Sequence, residues 1–178
     1  QRHLTIPCEM CIRDSLYSQG IGLAPCGAGK TQMALGVAAH LGQRTLWITH
    51  TMDLLQQSMD RAISCLGLGG AEIGLIQAEN MRIGSHITFA TVQTLARRDL
   101  TELAKQFGTI IVDECHLVYK SGDAARQFAD VVAQLPAMYR FGFTASEFRS
   151  DGLIETMFHV MGPKMYEVSQ SSLDAAGF

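Results

Sequence analysis

The 178 residues, 19.4 kDa in mass, suit one domain of ordinary size and exclude a two-lobed machine within this chain, because single cores run to about 100 to 200 residues. A hydrophobic share of 47% supplies a real core and excludes a disordered chain. With 17 acidic and 14 basic side chains the net charge is −3, so composition gives no basic footprint and a nucleic-acid partner has to be argued from local motifs.

Residues 1–15 show neither a period nor a cap, and their ending, Met10-Cys11-Ile12-Arg13-Asp14-Ser15, resembles translated adaptor sequence. They are expected to be a non-native scar outside the fold. Cys8 and Cys11 form a C-x-x-C pair, but no second pair or Cys/His partner follows at zinc-site spacing. From residue 20 onward, apolar runs alternate with amphipathic stretches in a βαβα rhythm, which predicts a parallel sheet wound with helices on both faces. Strands are predicted at 20–24, 45–49, 72–76, 86–90, 109–112, 139–143 and 164–168.

Behind the first predicted strand stands Ala24-Pro25-Cys26-Gly27-Ala28-Gly29-Lys30-Thr31, followed by a helical stretch over 32–41. This is the pattern of a phosphate-binding loop. Gly27 and Gly29 permit the dihedrals that turn successive N–H groups inward, and the helix adds its positive N-terminal end. Pro25, Cys26, Gly27, Ala28, Gly29, Lys30 and Thr31 are therefore the expected phosphate-binding residues, with Lys30 reaching the β- and γ-phosphates and Thr31 ligating Mg²⁺. The plainer alternative, a glycine-rich turn before an ordinary helix, does not explain why strand, loop, Lys-Thr and helix come in that order.

Further along, Leu55, Met59, Ala62 and Leu66 recur at helical spacing, as do Phe128, Val131, Val132 and Leu135, so both stretches are predicted helices packed on the sheet. Between them the apolar run Ile110-Ile111-Val112 ends in Asp113-Glu114-Cys115-His116. A strand that delivers acids at its carboxyl end brings them opposite the loop. Asp113 is expected to hold Mg²⁺, and Glu114 to orient and deprotonate an attacking water as general base. A solvated acidic turn is the bland reading of the same residues.

Together these residues resemble the first RecA-like lobe of a superfamily 2 helicase, in the DExH group that includes restriction-enzyme translocase subunits and phage and bacterial DNA helicases. The resemblance covers about 16–170, while 171–178 is expected to be a truncated linker towards a missing second lobe of the same polypeptide. APCGAGKT matches motif I and DECH is a form of motif II. The stretch from Trp47 to Gln57, with Thr49-His50-Thr51, looks like motif Ia, and Ala90-Thr91-Val92-Gln93-Thr94-Leu95 is similar to the next strand-end motif. Arg140-Phe141-Gly142-Phe143-Thr144-Ala145-Ser146 resembles motif III, and Phe148-Arg149-Ser150-Asp151-Gly152 continues the pattern.

The resemblance implies an α/β, three-layer RecA-like P-loop NTPase domain with a mainly parallel sheet, using ATP and Mg²⁺ to unwind or translocate on DNA. It implies that Thr49, His50, Thr91 and Gln93 touch a sugar-phosphate backbone, a contact that positions a strand without reading bases. It also implies that His116, Thr144 and Ser146 couple the ATP site to the strand-binding face. Helix capping is the alternative role for the threonines, and a satisfied interior position the alternative for His116. Two departures stand out: Ala24 replaces the first glycine of the loop, and Ser146-Glu147 replaces the usual Thr-Pro ending of motif III. No glutamine-bearing adenine-reading segment precedes the loop, and DNA is chosen over RNA on resemblance alone. A P-loop phosphotransferase, a small-molecule kinase, would need a lid and an acceptor pocket, and no arginine-rich lid is found; a nucleotide-binding module without catalysis is the third alternative.

No apolar run reaches the roughly 18 residues of a membrane-spanning helix, and no secretion signal is present, so a soluble cytoplasmic protein is expected. Five cysteines, with Cys26 and Cys115 inside motifs, point to reduced thiols. Charged residues amount to 17%, below the roughly 25% of typical domains, which suggests a face covered by a partner or by the missing lobe.

Overall fold

The computed structural model describes residues 18–116, 123–145 and 158–169. The segment 1–15, Ser146, the stretch 148–152 and the tail 171–178 lie outside the described residues.

The elements follow the expected alternation. Strand β1 (Gln19–Leu23) leads through the loop into α1 (Lys30–Leu41), β2 (Thr45–Thr49) and α2 (Met52–Leu66). Then come β3 (Ile73–Gln77), β4 (Asn80–Arg82), β5 (Ile87–Thr91), the short helices α3 (Val92–Leu95) and α4 (Thr101–Ala104), and β6 (Thr109–Asp113). Helix α5 (Asp123–Ala133), β7 (Tyr139–Thr144) and β8 (Lys164–Glu167) complete the described chain. The eight strands form one sheet in the order β4-β3-β5-β2-β6-β7-β1-β8, parallel throughout except for the β3–β4 hairpin.

Strands β2, β5 and β6 are buried at every position. That is the mark of central parallel strands covered on both faces, and it explains why their sequences read as unbroken apolar runs instead of alternating ones. One face packs Trp47, Phe89, Ile111, Phe141 and Phe143 against Met33, Leu35 and Ala38 of α1 and Leu55 and Ala62 of α2. The other packs Leu46, Ile48, Ile110 and Val112 against Leu95 of α3, Leu103 of α4 and Phe128, Val131 and Val132 of α5. Three layers result.

The cap of α2 has a local cause. Thr51 sits in extended backbone before the helix, and its hydroxyl accepts from the N–H of Leu54 at 3.3 Å, supplying a partner for one of the orphan donors of the first turn. At the far end Gly67 closes the helix at a φ of 66°, a left-handed conformation.

The sheet order fixes where chemistry can occur. Strand β7 lies between β1 and β6, with Leu23 beside Thr144 and Asp113 beside Phe143, so the three carboxyl ends finish level. Loops leaving those ends share one edge of the sheet, where parallel α/β folds bind their ligands. Among the described residues, Met52, Ile63, Met81 and Met138 are the exposed large apolar side chains, spread over α2, β4 and the approach to β7. No helix among the described residues is long and apolar enough to cross a membrane.

Candidate nucleotide site

The loop between β1 and α1 takes the shape its glycines permit. Gly27 and Gly29 have φ of 85° and 79°, a region that side chains with a Cβ rarely enter. Gly29 stands in the N-cap position of α1 without any side-chain cap, leaving the first N–H groups of that 12-residue helix facing the loop. Ala24, where the common pattern has glycine, is buried, and its N–H donates to the Thr144 carbonyl at 3.0 Å. Its methyl group joins the core on the α1 side of the sheet. The position thus continues the β1–β7 ladder, and an alanine fits there without strain.

Lys30 and Thr31 open α1 and point across to the end of β6. The Lys30 ammonium lies 3.4 Å from Glu114 Oε1 and is 3.5 Å from the Pro25 carbonyl, to which it donates. Thr31 donates its hydroxyl to Asp113 Oδ2 at 3.2 Å. The expectation that the loop and the acidic pair meet is fulfilled: both contacts join residues more than eighty positions apart. Cys26 is exposed on the same loop.

Asp113 is buried at 5% exposure, and both of its carboxylate oxygens accept hydrogen bonds. Oδ1 accepts the N–H of Glu114 at 3.0 Å, and Oδ2 accepts the hydroxyls of Thr31 and Ser58, the latter at 3.3 Å. Burial, helped by the neighbouring Glu114 charge, raises its carboxyl above the ordinary value, and the two hydroxyl bonds only partly oppose this. Glu114 is treated differently. Burial pushes its carboxyl up, but His116 and the Lys30 ammonium outweigh that and hold it below the ordinary range. Its backbone φ of 51° is left-handed, an uncommon state for a residue with a Cβ, and such strain recurs at functional sites. Two neighbouring carboxyls are therefore driven in opposite directions.

The sign of the Asp113 shift sets a stability test. A carboxyl with a folded pKa above its ordinary 3.8 makes the fold bind its proton more tightly than the unfolded chain does. That contribution is present below the ordinary value and is lost as pH rises through the raised one. Asp113→Asn removes the buried charge, keeps an oxygen for the hydroxyls and sets its amide against the Glu114 N–H, so it is expected to gain thermal stability relative to wild type as pH rises from 4 to 7. A melting difference from wild type that is the same at pH 4 and pH 7 contradicts the assignment. Glu114 has the opposite sign: its contribution is present above the ordinary 4.5 and disappears as pH falls through the lowered value.

His116 connects this pair to β7. Its Nδ1 shares a hydrogen bond of 2.7 Å with the Thr144 hydroxyl and lies 3.3 Å from Glu114 Oε2, at ion-pair distance but without an aligned hydrogen bond to that oxygen. Thr144 is fully buried, between the loop and the acidic turn. Cys115 is buried, and its thiol is pushed far up by burial and by the carboxylates of Glu114 and Asp113 that precede it, which leaves it unreactive.

The four residues expected at the strand-binding face divide into two kinds. Strands β2 and β5 are neighbours with Thr49 beside Thr91, and this brings His50 and Gln93 together, Gln93 Nε2 lying 3.3 Å from His50 Nδ1. Both are half-buried. Thr49 and Thr91 are buried, at 1% and 5% exposure. The Thr49 hydroxyl donates to the Thr51 carbonyl, and that of Thr91 accepts from the N–H of Thr94 to cap α3. Thr91 thus caps a helix, as the capping alternative anticipates, whereas the Thr49 bond runs to a carbonyl in the turn between β2 and α2.

One residue at the site escapes motif reading. Ser58 lies on the core-facing stripe of α2 between Leu55 and Ala62, at 2% exposure, and its bond to Asp113 is what draws it into the site. Its position on an apolar stripe is the signal that sequence offers, because a buried hydroxyl needs a partner. A cavity of about 580 Å³ runs along α2 and is lined by Gln57, Ser58 and Arg61 as well as Thr31, Asp113 and Glu114. Among the described residues no cluster of three or more His, Cys, Asp or Glu side chains could hold a metal unaided.

Comparisons with known proteins give the family and the fold. An ATP-dependent RNA helicase by name, from Acanthamoeba polyphaga mimivirus, is 31% identical over 148 residues, which cover 83% of this chain and 27% of that protein. The DNA 3'-5' helicase XPB of Mycobacterium tuberculosis is 30% identical over 174 residues, or 93% of this chain and 30% of the relative. The chain thus spans less than a third of the length of these curated relatives. The crystal structure of the UvsW helicase from bacteriophage T4 superposes with a TM-score of 0.71 at 21% identity, covering 89% of this chain and 57% of that one, which establishes the shared RecA-like fold. The family model described as type III restriction enzyme, res subunit, matches residues 17–149, from β1 through the loop and the acidic turn to the end of β7, and the chain belongs to that family.

Proposed function

We propose that this chain is the ATP-binding lobe, at 16–170, of a nucleic-acid-dependent ATPase that unwinds or translocates on DNA in the cytoplasm, with a second RecA-like lobe elsewhere in the same polypeptide. The observation that carries the reading is the double contact across the sheet edge, Lys30 with Glu114 at 3.4 Å and Thr31 with Asp113 at 3.2 Å. A glycine-rich turn or a solvated acidic turn, standing alone, has no reason to produce it. Helicases by name on both the DNA and the RNA side are among the relatives.

In this reading the N–H groups of the loop that follow Pro25, which itself has none, bind the phosphates, and Lys30 leaves Glu114 to meet their β- and γ-oxygens. The donor set fits Mg²⁺: one hydroxyl and one carboxylate oxygen, both hard ligands, suit an ion that takes few protein ligands and completes its shell from phosphates and water. When bound, the ion would neutralise charge developing on the phosphates. Glu114, ionised and turned towards the loop, directs a water at the γ-phosphate and accepts its proton. His116 and Thr144, with Ser146, relay the state of that site to the His50–Gln93 face.

The test is nucleotide binding and hydrolysis by the purified chain, with and without duplex DNA or RNA. Weak Mg²⁺-dependent ATP binding, slow hydrolysis and no strand separation are expected, because an arginine from a second lobe is worth about 10³ to 10⁵ in rate. Stimulation by DNA over RNA supports the translocase reading as stated. Transfer of phosphate to a small acceptor without any response to nucleic acid refutes it in favour of a phosphotransferase.

A further inference from the structure

We infer that Ser58 is a positioning residue for Asp113, holding the carboxylate in one orientation towards the Mg²⁺ site; the inference rests on the reading of Thr31 and Asp113 as ligands of that ion. Ser58 lies on α2, far in sequence from both residues and outside the loop and the acidic turn. Its hydroxyl is nearly inaccessible, on a helix stripe otherwise built from Leu55, Met59 and Ala62. A hydroxyl buried there loses its water and is stable only with a partner. Asp113 Oδ2, at 3.3 Å, is that partner.

The geometry explains why a second hydroxyl matters. Oδ2 accepts from both Thr31 and Ser58. A hydroxyl that ligates a cation through an oxygen lone pair keeps its O–H to donate, so Thr31 would hold Asp113 from the side of the ion while Ser58 holds it from α2. Helix α2 is suited to this, being fifteen residues long, capped by Thr51 and packed against the sheet. The cavity of about 580 Å³ beside it gives the carboxylate room to swing once that donor is gone. A ligand oxygen that can swing binds its ion less well than one held by an outer partner.

The experiment measures Mn²⁺, as a spectroscopic stand-in for Mg²⁺, by electron paramagnetic resonance in the presence of a non-hydrolysable ATP analogue. A fluorescent ATP analogue without metal provides the second readout. Ser58→Ala is expected to weaken Mn²⁺ binding about 10-fold, at the lower end of what loss of an outer partner does, and to change metal-free nucleotide affinity less than about 2-fold. Ser58→Cys restores the lost volume with a much weaker donor and is expected to match Ser58→Ala. It also carries the test should the alanine variant fail to fold. Recovery of wild-type Mn²⁺ affinity in Ser58→Cys, or equal losses with and without metal, would show a packing effect and overturn the inference. Asp113→Asn separates the two levels. If it abolishes metal-linked binding while Ser58→Ala leaves it intact, the inference alone fails; if Asp113→Asn retains that binding, the assignment of the ion site fails and the inference with it.

Discussion

Replacing Glu114 with glutamine is expected to lower ATP hydrolysis by about 10²- to 10⁴-fold, the contribution of a positioned general base, while ATP binding stays at the wild-type level or tightens. The substitution keeps the size of the side chain and the left-handed backbone at that position, so geometry is spared and the proton acceptor is lost. Binding does not suffer, because the lost carboxylate neighbours Lys30 and would repel the phosphates. Lys30→Ala is expected to do the reverse at the first step, weakening nucleotide binding by roughly 10- to 100-fold through loss of a charge-assisted hydrogen bond. Single-turnover hydrolysis with the protein in excess, set beside titration of a fluorescent ATP analogue, distinguishes the two. A Glu114→Gln variant that hydrolyses at the wild-type rate removes Glu114 from the chemistry, and a Lys30→Ala variant with intact affinity removes the loop from phosphate binding.

The largest expected loss of stability follows from Trp47. It is completely buried on the central strand β2, with its ring tilted at 40° to that of Phe89 at a centroid distance of 5.8 Å. Truncation to alanine removes the biggest side chain of that face and leaves a cavity the sheet cannot close, at a cost of about 3–5 kcal/mol. For a chain of this size that lowers the melting midpoint by roughly 6–20 °C. Trp47→Phe tests the mechanism. The indole nitrogen is buried without a hydrogen-bond partner, so phenylalanine gives up volume but no bond, and it is expected to cost less than about 1.5 kcal/mol. Circular dichroism has to follow both melts, since Trp47 is the single tryptophan. A phenylalanine variant as damaged as the alanine one would point to an interaction of the indole nitrogen instead of packing.

The elements that were legible in the sequence are those whose signal is local. The loop declares itself through Gly27, Gly29, Lys30 and Thr31, and the acidic turn through an apolar strand that stops at Asp113. Strands β2, β5 and β6 stand out because burial on both faces demands continuous apolar residues. Strand β4 leaves no such signal, for the opposite reason: its three residues are all exposed, and antiparallel pairing to β3 alone makes them a strand. The four-residue helices α3 and α4 are too short to show a period. Predicted strand limits differ from the observed ones by a residue at several ends, where pairing with a neighbour and not composition decides the last rung. The cap role of Thr91 was open in the sequence and is settled by its bond to Thr94.

The amino-acid sequence by itself determined which groups the site could hold, because the donor, acceptor and charge of a lysine, a hydroxyl and two strand-end acids, and the positive φ open to glycine, follow from covalent structure alone. Tertiary structure decided which of these groups meet. Placing β7 between β1 and β6 brings Thr144 to His116 and Lys30 to Glu114, and packing α2 against the sheet brings Ser58 to Asp113. It also gave the adjacent carboxyls opposite environments: Asp113 is sealed in and pushed up, while Glu114 is turned to a lysine and a histidine and held down. Neighbours that close along the chain differ only through what the fold sets against each of them.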